Sequence, residues 1–462
     1  MTTILIRGGH LVDPSSGVDE KRDLLLRDDR VAALDLPGKL DALAKKERAT
    51  VVDASGMTVA PGLIDMHVHL REPGQGYKET IATGTRAAAA GGFTSVCAMP
   101  NTLPVNDSPE ITRWMQSADR DAVIRVFPIA AATRGSLGEA LTEYGALKAA
   151  GAVAFSDDGK PILQDAIMYE SLASAARVSL PVIQHAEDTR LTQNASMHEG
   201  ALSFRLGLRG MSSDAESGIV ERDIELLSRL GKVGGHLHVA HLSTTKALDA
   251  VRRAKRSGLH VTCEVSPHHF ALTEQAIGDY DTHAKMSPPL RSSEDRAALI
   301  EGLLDGTVDA IATDHAPHAI HEKEQEFERA PNGITGLETA LGISLLVLHQ
   351  QHKMSLTHLL ALLSSRPAEV LQLKHRGSLA IGSFADVVIF RPEEQWKFLA
   401  CDSKSKSKNT PFDGWTLPGR VVLTISEGRI VHDARAVSTN DDSHRPSGTR
   451  SDRQLFSSCL KP

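Results

Sequence analysis

The sequence predicts an α/β chain in which a (β/α)8 barrel carries a small β domain built from both chain ends. Three observations predict it. Between residues 61 and 372, eight short apolar runs alternate with helix-like segments. The flanks, 1–60 and 373–433, are β-rich. Six of the eight runs end in histidine or aspartate, and the C-terminal strand ends are where such a barrel gathers its chemistry. At 462 residues the chain has room for one such barrel and a smaller appendage.

In chain order, ILIRGGHLVD, RDLLLRDDRVAAL and TVVDASGMTVA are short apolar runs broken by Gly, Asp and Ser, the pattern of strands and turns. The barrel runs are LIDMHVHL, TSVCAMP, IRVFPIAAA, AVAFSD, PVIQHAE, HLHVAHLS, HVTCEVSP and DAIATDHAP. Segments such as KETIATGTRAAAAGG and TTKALDAVRRAKRSG lie between them with helical periodicity. ADVVIF and RVVLTISEGRIVHD echo the N-terminal runs, so the two ends are expected to meet in one sheet. Residues 434–462 are rich in Ser, Asp and Arg with little apolar content, and a disordered tail is expected there.

Composition is 41% hydrophobic and 24% charged, which is globular. A net charge of −7 and 4% aromatics provide neither the basic footprint nor the stacking platforms of a nucleic-acid binder. Cys97, Cys263, Cys401 and Cys459 are scattered with no C-x-x-C pair. This argues against a disulfide framework or a thiolate zinc site and suits a reducing compartment. MTTILIRGGHLVDP has no long apolar core and no apolar run reaches about 18 residues. A soluble cytoplasmic protein with no membrane partner is expected.

The run GLIDMHVHLREPG concentrates the functional signal. A strand alternates its side chains, so His67, His69 and Arg71 are expected on one face, just before the Pro73-Gly74 turn. Two histidines in such a pattern are, taken alone, more often structural than ligating. The other strand ends change the balance: Asn101 follows the second, Asp157 and Asp158 the fourth, His185 the fifth, His241 the sixth, His268 and His269 the seventh, and Asp314, His315 and His318 the eighth. Imidazole and carboxylate without thiolate suit zinc or another borderline divalent ion. His236 and His238 are expected on the face opposite His241, as packing or supporting residues. His268 and His269 are read as loop residues, His315 as structural, and Asp157 as a helix cap, its parity opposite to that of Asp158.

HVHLR, MPNT, FSDDG, QHAED, HVAHLST, CEVSPHH, SPPLR and ATDHAPH, in this order, resemble the cyclic amidohydrolases, and within them the dihydroorotases, over residues 4–432. The resemblance implies a metal-dependent TIM barrel with two zinc ions per subunit. His67 and His69 would hold one ion and His185 and His241 the other. Asp314 would join the first ion and serve as acid/base, with hydroxide between the metals as nucleophile. Hydantoinases and allantoinases bridge their metals with a carboxylated lysine on strand four. Here Ser156 takes the lysine's place and Asp158, of the same parity, is the expected bridge, while Lys160 beyond Gly159 is less well placed.

By resemblance, Arg71, Asn101 and His318 bind a substrate carboxylate, with His69 close by. Asn332 and Gly333, in HEKEQEFERAPNGITGLE, lie near the substrate ring. Ser287 stands before PPLR where the subgroup usually has asparagine, which leaves that ring contact less certain. The activity implied is the reversible cyclisation of N-carbamoyl-L-aspartate to L-dihydroorotate. The resemblance also admits a homodimer and an aspartate carbamoyltransferase partner. Two other readings compete: an allantoinase or hydantoinase, and a catalytically silent homologue that serves as an assembly partner. The missing strand-four lysine and the Arg71 clamp oppose the first, and the full ligand set opposes the second.

Overall fold

The computed structural model describes residues 2–435; the expected tail lies outside these residues from 436 onward. Eight short parallel strands form the barrel: Leu63–Val68, Phe93–Ala98, Arg125–Pro128, Phe155–Ser156, Val182–Gln184, Leu237–Val239, Val261–Val265 and Ala310–Ile311. The first three pair side by side, as do the last five. Single parallel bridges, Ala130 to Phe155 and Val68 to His315, close the ring. The fourth and eighth strands have only two residues each. The chain leaves the ladder early at these two strands, and there it carries Asp158 and Asp314.

Helices between the strands begin where the sequence supplies caps. Thr80 caps Ile81–Ala90, its hydroxyl accepting from Thr83 N while the Thr83 hydroxyl takes the Thr80 N–H. Thr244 caps Thr245–Arg256, which ends in Arg253, Lys255 and Arg256 beside the negative helix end. Ser292 opens Ser293–Leu304 in the same way. Leu63, Val96, Phe155, Val182, Leu237 and Val265 belong to the continuous buried core between barrel and helices.

The chain ends meet in one sheet. Its order runs Arg429–Asp433, Arg420–Ser426, Val387–Arg391, Thr58–Pro61, Thr3–Asp13, Val18–Arg27 and Arg30–Asp35, with Thr50–Asp53 also against Thr3–Asp13. Val388 faces Ala60 across the antiparallel join of the two ends. Ile4, Leu24, Val52, Val387, Leu423 and Ile425 form a separate core for this sheet. Gly62 connects the sheet to the first barrel strand, and a Cβ there would fall 2.2 Å from Thr94 Oγ1, so the join requires glycine. Among the described residues no helix is long and apolar enough to cross a membrane.

A buried ion cluster locks sheet to barrel. Arg376 pairs with Asp386 and, at 2.5 Å, with Glu427, and Glu427 also takes Arg125 from the third barrel strand at 2.8 Å. Arg376 and Asp386 are buried, and removing one member of such a pair strands the other charge. Arg376→Met should therefore lower unfolding free energy by about 3–5 kcal/mol in denaturant titrations. A loss below about 1 kcal/mol would show that the cluster is replaceable.

Candidate metal centre and substrate cavity

Four imidazoles and two carboxylates converge at the mouth of the barrel. His67 is fully buried, and His69, Asp158, His185, His241 and Asp314 are nearly so. Three ligand triads have their atoms within 4.8 Å of one another: His67, His69 and Asp158; His67, His241 and Asp314; Asp158, His185 and His241. His67, Asp158 and His241 each belong to two of these triads.

The hydrogen bonds around the cluster set the direction of each ring. His67 Nδ1 donates to Glu264 Oε1 at 2.6 Å, so its Nε2 turns a lone pair toward Asp158 Oδ1 at 3.5 Å and Asp314 Oδ1 at 3.4 Å. His69 Nδ1 donates to Asn101 Oδ1 at 2.8 Å and faces Asp314 Oδ1 with Nε2 at 3.0 Å. His185 Nε2 donates to Glu187 Oε2 at 3.0 Å, leaving Nδ1 2.8 Å from His241 Nε2 and 3.6 Å from Asp158 Oδ1. The outer nitrogens of His67, His69 and His185 are thus satisfied by protein acceptors, while His241 Nδ1 is buried without a partner, and the inner nitrogens turn toward carboxylate oxygens. His67 Nε2 and Asp158 Oδ1 have no hydrogen-bond partner although both are buried.

Acceptors face acceptors stably only with positive charge between them. Burial disfavours a charged His67, yet Asp314, Asp158 and Glu264 together raise its pKa well above the usual histidine value. Burial likewise opposes the charged form of His185, but Asp158 and Glu187 push it up to about 10. Burial would raise both aspartates, yet the histidines hold both below the usual carboxylate range. A divalent cation supplies the charge these groups otherwise draw from protons, and this donor set fits one.

Backbone strain marks the same place. Arg71, His241 and Asp314 have φ of 62°, 30° and 46°, a region that non-glycine residues rarely occupy. The first strand ends at Val68, so His69 and Arg71 reach the site from the loop beyond it rather than by strand parity alone. Parity also fails for His238. The turned backbone at His241 breaks the alternation, and His238 Nε2 meets Glu264 Oε2 at 3.3 Å, on the carboxylate that takes His67 Nδ1–H. Asp157 caps no helix of four or more residues; it accepts from Thr133 N at 3.0 Å and from the Thr133 hydroxyl. His315 is structural as expected, facing Glu79 at 3.3 Å. Lys160 is exposed.

A cavity of about 420 Å³ opens above the cluster. Arg71, Asn101, Ser287, His318 and Asn332 line it together with His69, Asp158, His185, His241 and Asp314. Asn101 also donates to Asp158 Oδ2 at 3.2 Å, so one amide joins two ligand candidates. Ser287 donates to Glu187 Oε2 at 3.3 Å. Gly333 is not among the lining residues. A Cβ on it would fall 2.5 Å from Ala316 O, so it permits close loop packing rather than a ring contact.

Burial, reinforced by Arg71, Lys78 and Lys323, lowers the His318 pKa to about 2, so the ring is neutral. Lys78 Nζ donates to His318 Nδ1 at 3.2 Å, and Nε2 then donates to Asn332 O at 2.9 Å. Sequence reasoning missed Glu264, Glu187 and Lys78. A glutamate inside the apolar run HVTCEVSP was a usable signal for Glu264; the other two sit in ordinary loop sequence.

Comparison with known proteins agrees with this geometry. The chain is 47% identical over 432 residues to a dihydroorotase of Citrifermentans bemidjiense, spanning 93% of this chain and 100% of that protein. It is 49% identical over 433 residues to a dihydroorotase of Anaeromyxobacter sp. strain K, spanning 93% and 98%. Residues 56–247 match the family described as dihydro-orotase-like. In fold it is similar to the L-hydantoinase (dihydropyrimidinase) of Arthrobacter aurescens, with a TM-score of 0.81 and 25% identity over 94% of this chain and 96% of that one. The chain belongs to the dihydroorotase family of cyclic-amide hydrolases.

Proposed function

We propose that this protein interconverts L-dihydroorotate and N-carbamoyl-L-aspartate in pyrimidine biosynthesis, in the cytoplasm, with two zinc ions per chain. His67, His69, Asp158, His185, His241 and Asp314 would hold the ions, with Asp158 shared. The observation that carries this reading is the inward ring of lone pairs and carboxylates beside a cavity that also presents a guanidinium. When bound, the metal supplies Lewis acidity, lowering the pKa of a water from about 16 to about 7 and polarising the ring carbonyl.

The protein's own residues do the rest. Asp314 is held ionised by His67 and His69, so its carboxylate can take the proton of the attacking water. As the C–N bond of the ring amide breaks, the same carboxyl returns that proton to the departing nitrogen. Ring closure runs these steps in reverse. The ring carboxylate of the substrate needs donors. Arg71 Nε is engaged by Pro317 O at 3.1 Å, which fixes the guanidinium at the cavity wall. A hydantoin or dihydrouracil carries no ring carboxylate to use this charge.

L-Dihydroorotate should be hydrolysed in a chelator-sensitive manner, with allantoin and dihydrouracil left intact; turnover of either in place of dihydroorotate would refute the specificity reading. Arg71→Met should raise KM about 10- to 100-fold, the worth of a charge-assisted hydrogen bond of about 1.5–3 kcal/mol, with kcat much less changed. Asp158→Ala should lose at least one metal by elemental analysis and about 100-fold or more in turnover. A variant that keeps two metals and full activity would remove Asp158 from the site.

A further inference from the structure

The segment DSKSKSKN, 402–409, lies outside the barrel in sequence and was not singled out by its residue types. In the structure Ser405, Ser407 and Asn409 are buried while Lys404, Lys406 and Lys408 are exposed, the alternation of an extended stretch with one face inward. The inward face meets the wall of the cavity. Ser405 Oγ donates to Glu79, and Ser407 Oγ donates to Lys78 O at 2.7 Å. Asn409, 2% exposed, reaches furthest. Its Nδ2 donates to Ala316 O at 3.0 Å and to Gly333 O at 2.9 Å, and its Oδ1 accepts from His318 N at 2.9 Å. Its own carbonyl accepts from Thr335 N at 2.8 Å. These partners fix which side-chain atom is oxygen and which is nitrogen, and they use both donors and the acceptor of the amide.

The two loops tied together carry His318 and Asn332, and Lys78, anchored by Ser407, donates to His318 Nδ1. We propose that Asn409 is a positioning residue for the substrate carboxylate: it clamps the loop 316–318 to the loop 332–335 and so sets where the His318 ring stands relative to Arg71. Resting on the dihydroorotase reading, it assigns part of the substrate specificity to a segment about 90 residues beyond the last barrel strand. Asn409 bonds to none of the candidate metal ligands and does not itself line the cavity; it holds Ala316 and His318, which do. Its loss should therefore act on binding of the carboxylate and leave metal retention and the proton transfers in place.

The test compares Asn409→Ala and Asn409→Asp with the native enzyme, using L-dihydroorotate as substrate. Both should raise KM about ten-fold or more while kcat stays within about three-fold and the metal content is unchanged. Asn409→Asp adds a readout that a merely structural role would not move. Its ionised carboxylate would face two carbonyl oxygens, and protonation would restore one donor. The ratio of its KM to the native KM should therefore fall as the pH is lowered. If neither variant folds, Gly333→Ala presses on the same junction without touching Asn409, since its Cβ would lie 2.5 Å from Ala316 O and 2.7 Å from His318 Cδ2; it should give the same KM signature. Unchanged KM in folded variants, or joint loss of kcat and metal, overturns the positioning role while leaving the dihydroorotase reading intact. A metal-loaded native enzyme that does not turn over L-dihydroorotate overturns that reading, and the positioning role with it.

Discussion

Asp158 and Asp314 are ionised carboxylates buried at the mouth of a barrel, each facing imidazole nitrogens that present lone pairs. Burying one such charge without compensation costs several kcal/mol. The surrounding residues answer that cost in layers. Glu264, Asn101 and Glu187 take the outer N–H groups of His67, His69 and His185, which turns the inner nitrogens toward the carboxylates. Asp65, whose carboxyl is pushed up to about 7 by burial, takes the backbone N–H of His67 and of Thr313, pinning the first strand to the eighth.

The barrel meets the constraint by giving up regularity where it matters. The fourth and eighth strands are cut to two residues, and Asp314, His241 and Arg71 adopt left-handed backbone. Such conformations cost about 1–3 kcal/mol each for a non-glycine residue and persist where surrounding structure holds them. Here the bridge of Val68 to His315 and the hydrogen bond of Arg71 Nε to Pro317 O provide that hold. The 402–409 segment then braces the strand-eight loops from outside. Substrate-end geometry therefore depends on residues about 90 positions beyond the last barrel strand.

Much of this was legible in the sequence, for identifiable reasons. Eight apolar runs at βα spacing give the barrel, because parallel strands buried on both faces read as continuous hydrophobic stretches. The i, i+2 spacing of His67 and His69 flags one site, although His69 reaches it from the loop beyond the strand, and each further strand end names its own ligand candidate. Parity misjudged His238 because one turned residue, His241, breaks the alternation on which parity depends. Glu264 was hidden among apolar neighbours, its importance created by His67 and His238, which approach from other strands. Asn409 was illegible for a different reason: its partners lie 74 to 93 residues away, and only the folded loops bring them together.

On the proposed reading, six side chains hold two ions at one site. Anomalous diffraction at the zinc edge from crystals of the native protein tests it most directly. Two peaks are expected, at about 2.0–2.2 Å from atoms of His67, His69, His185, His241 and Asp314, with Asp158 reaching both. Peaks absent from this cluster, or a pair bridged by any residue other than Asp158, would contradict the account.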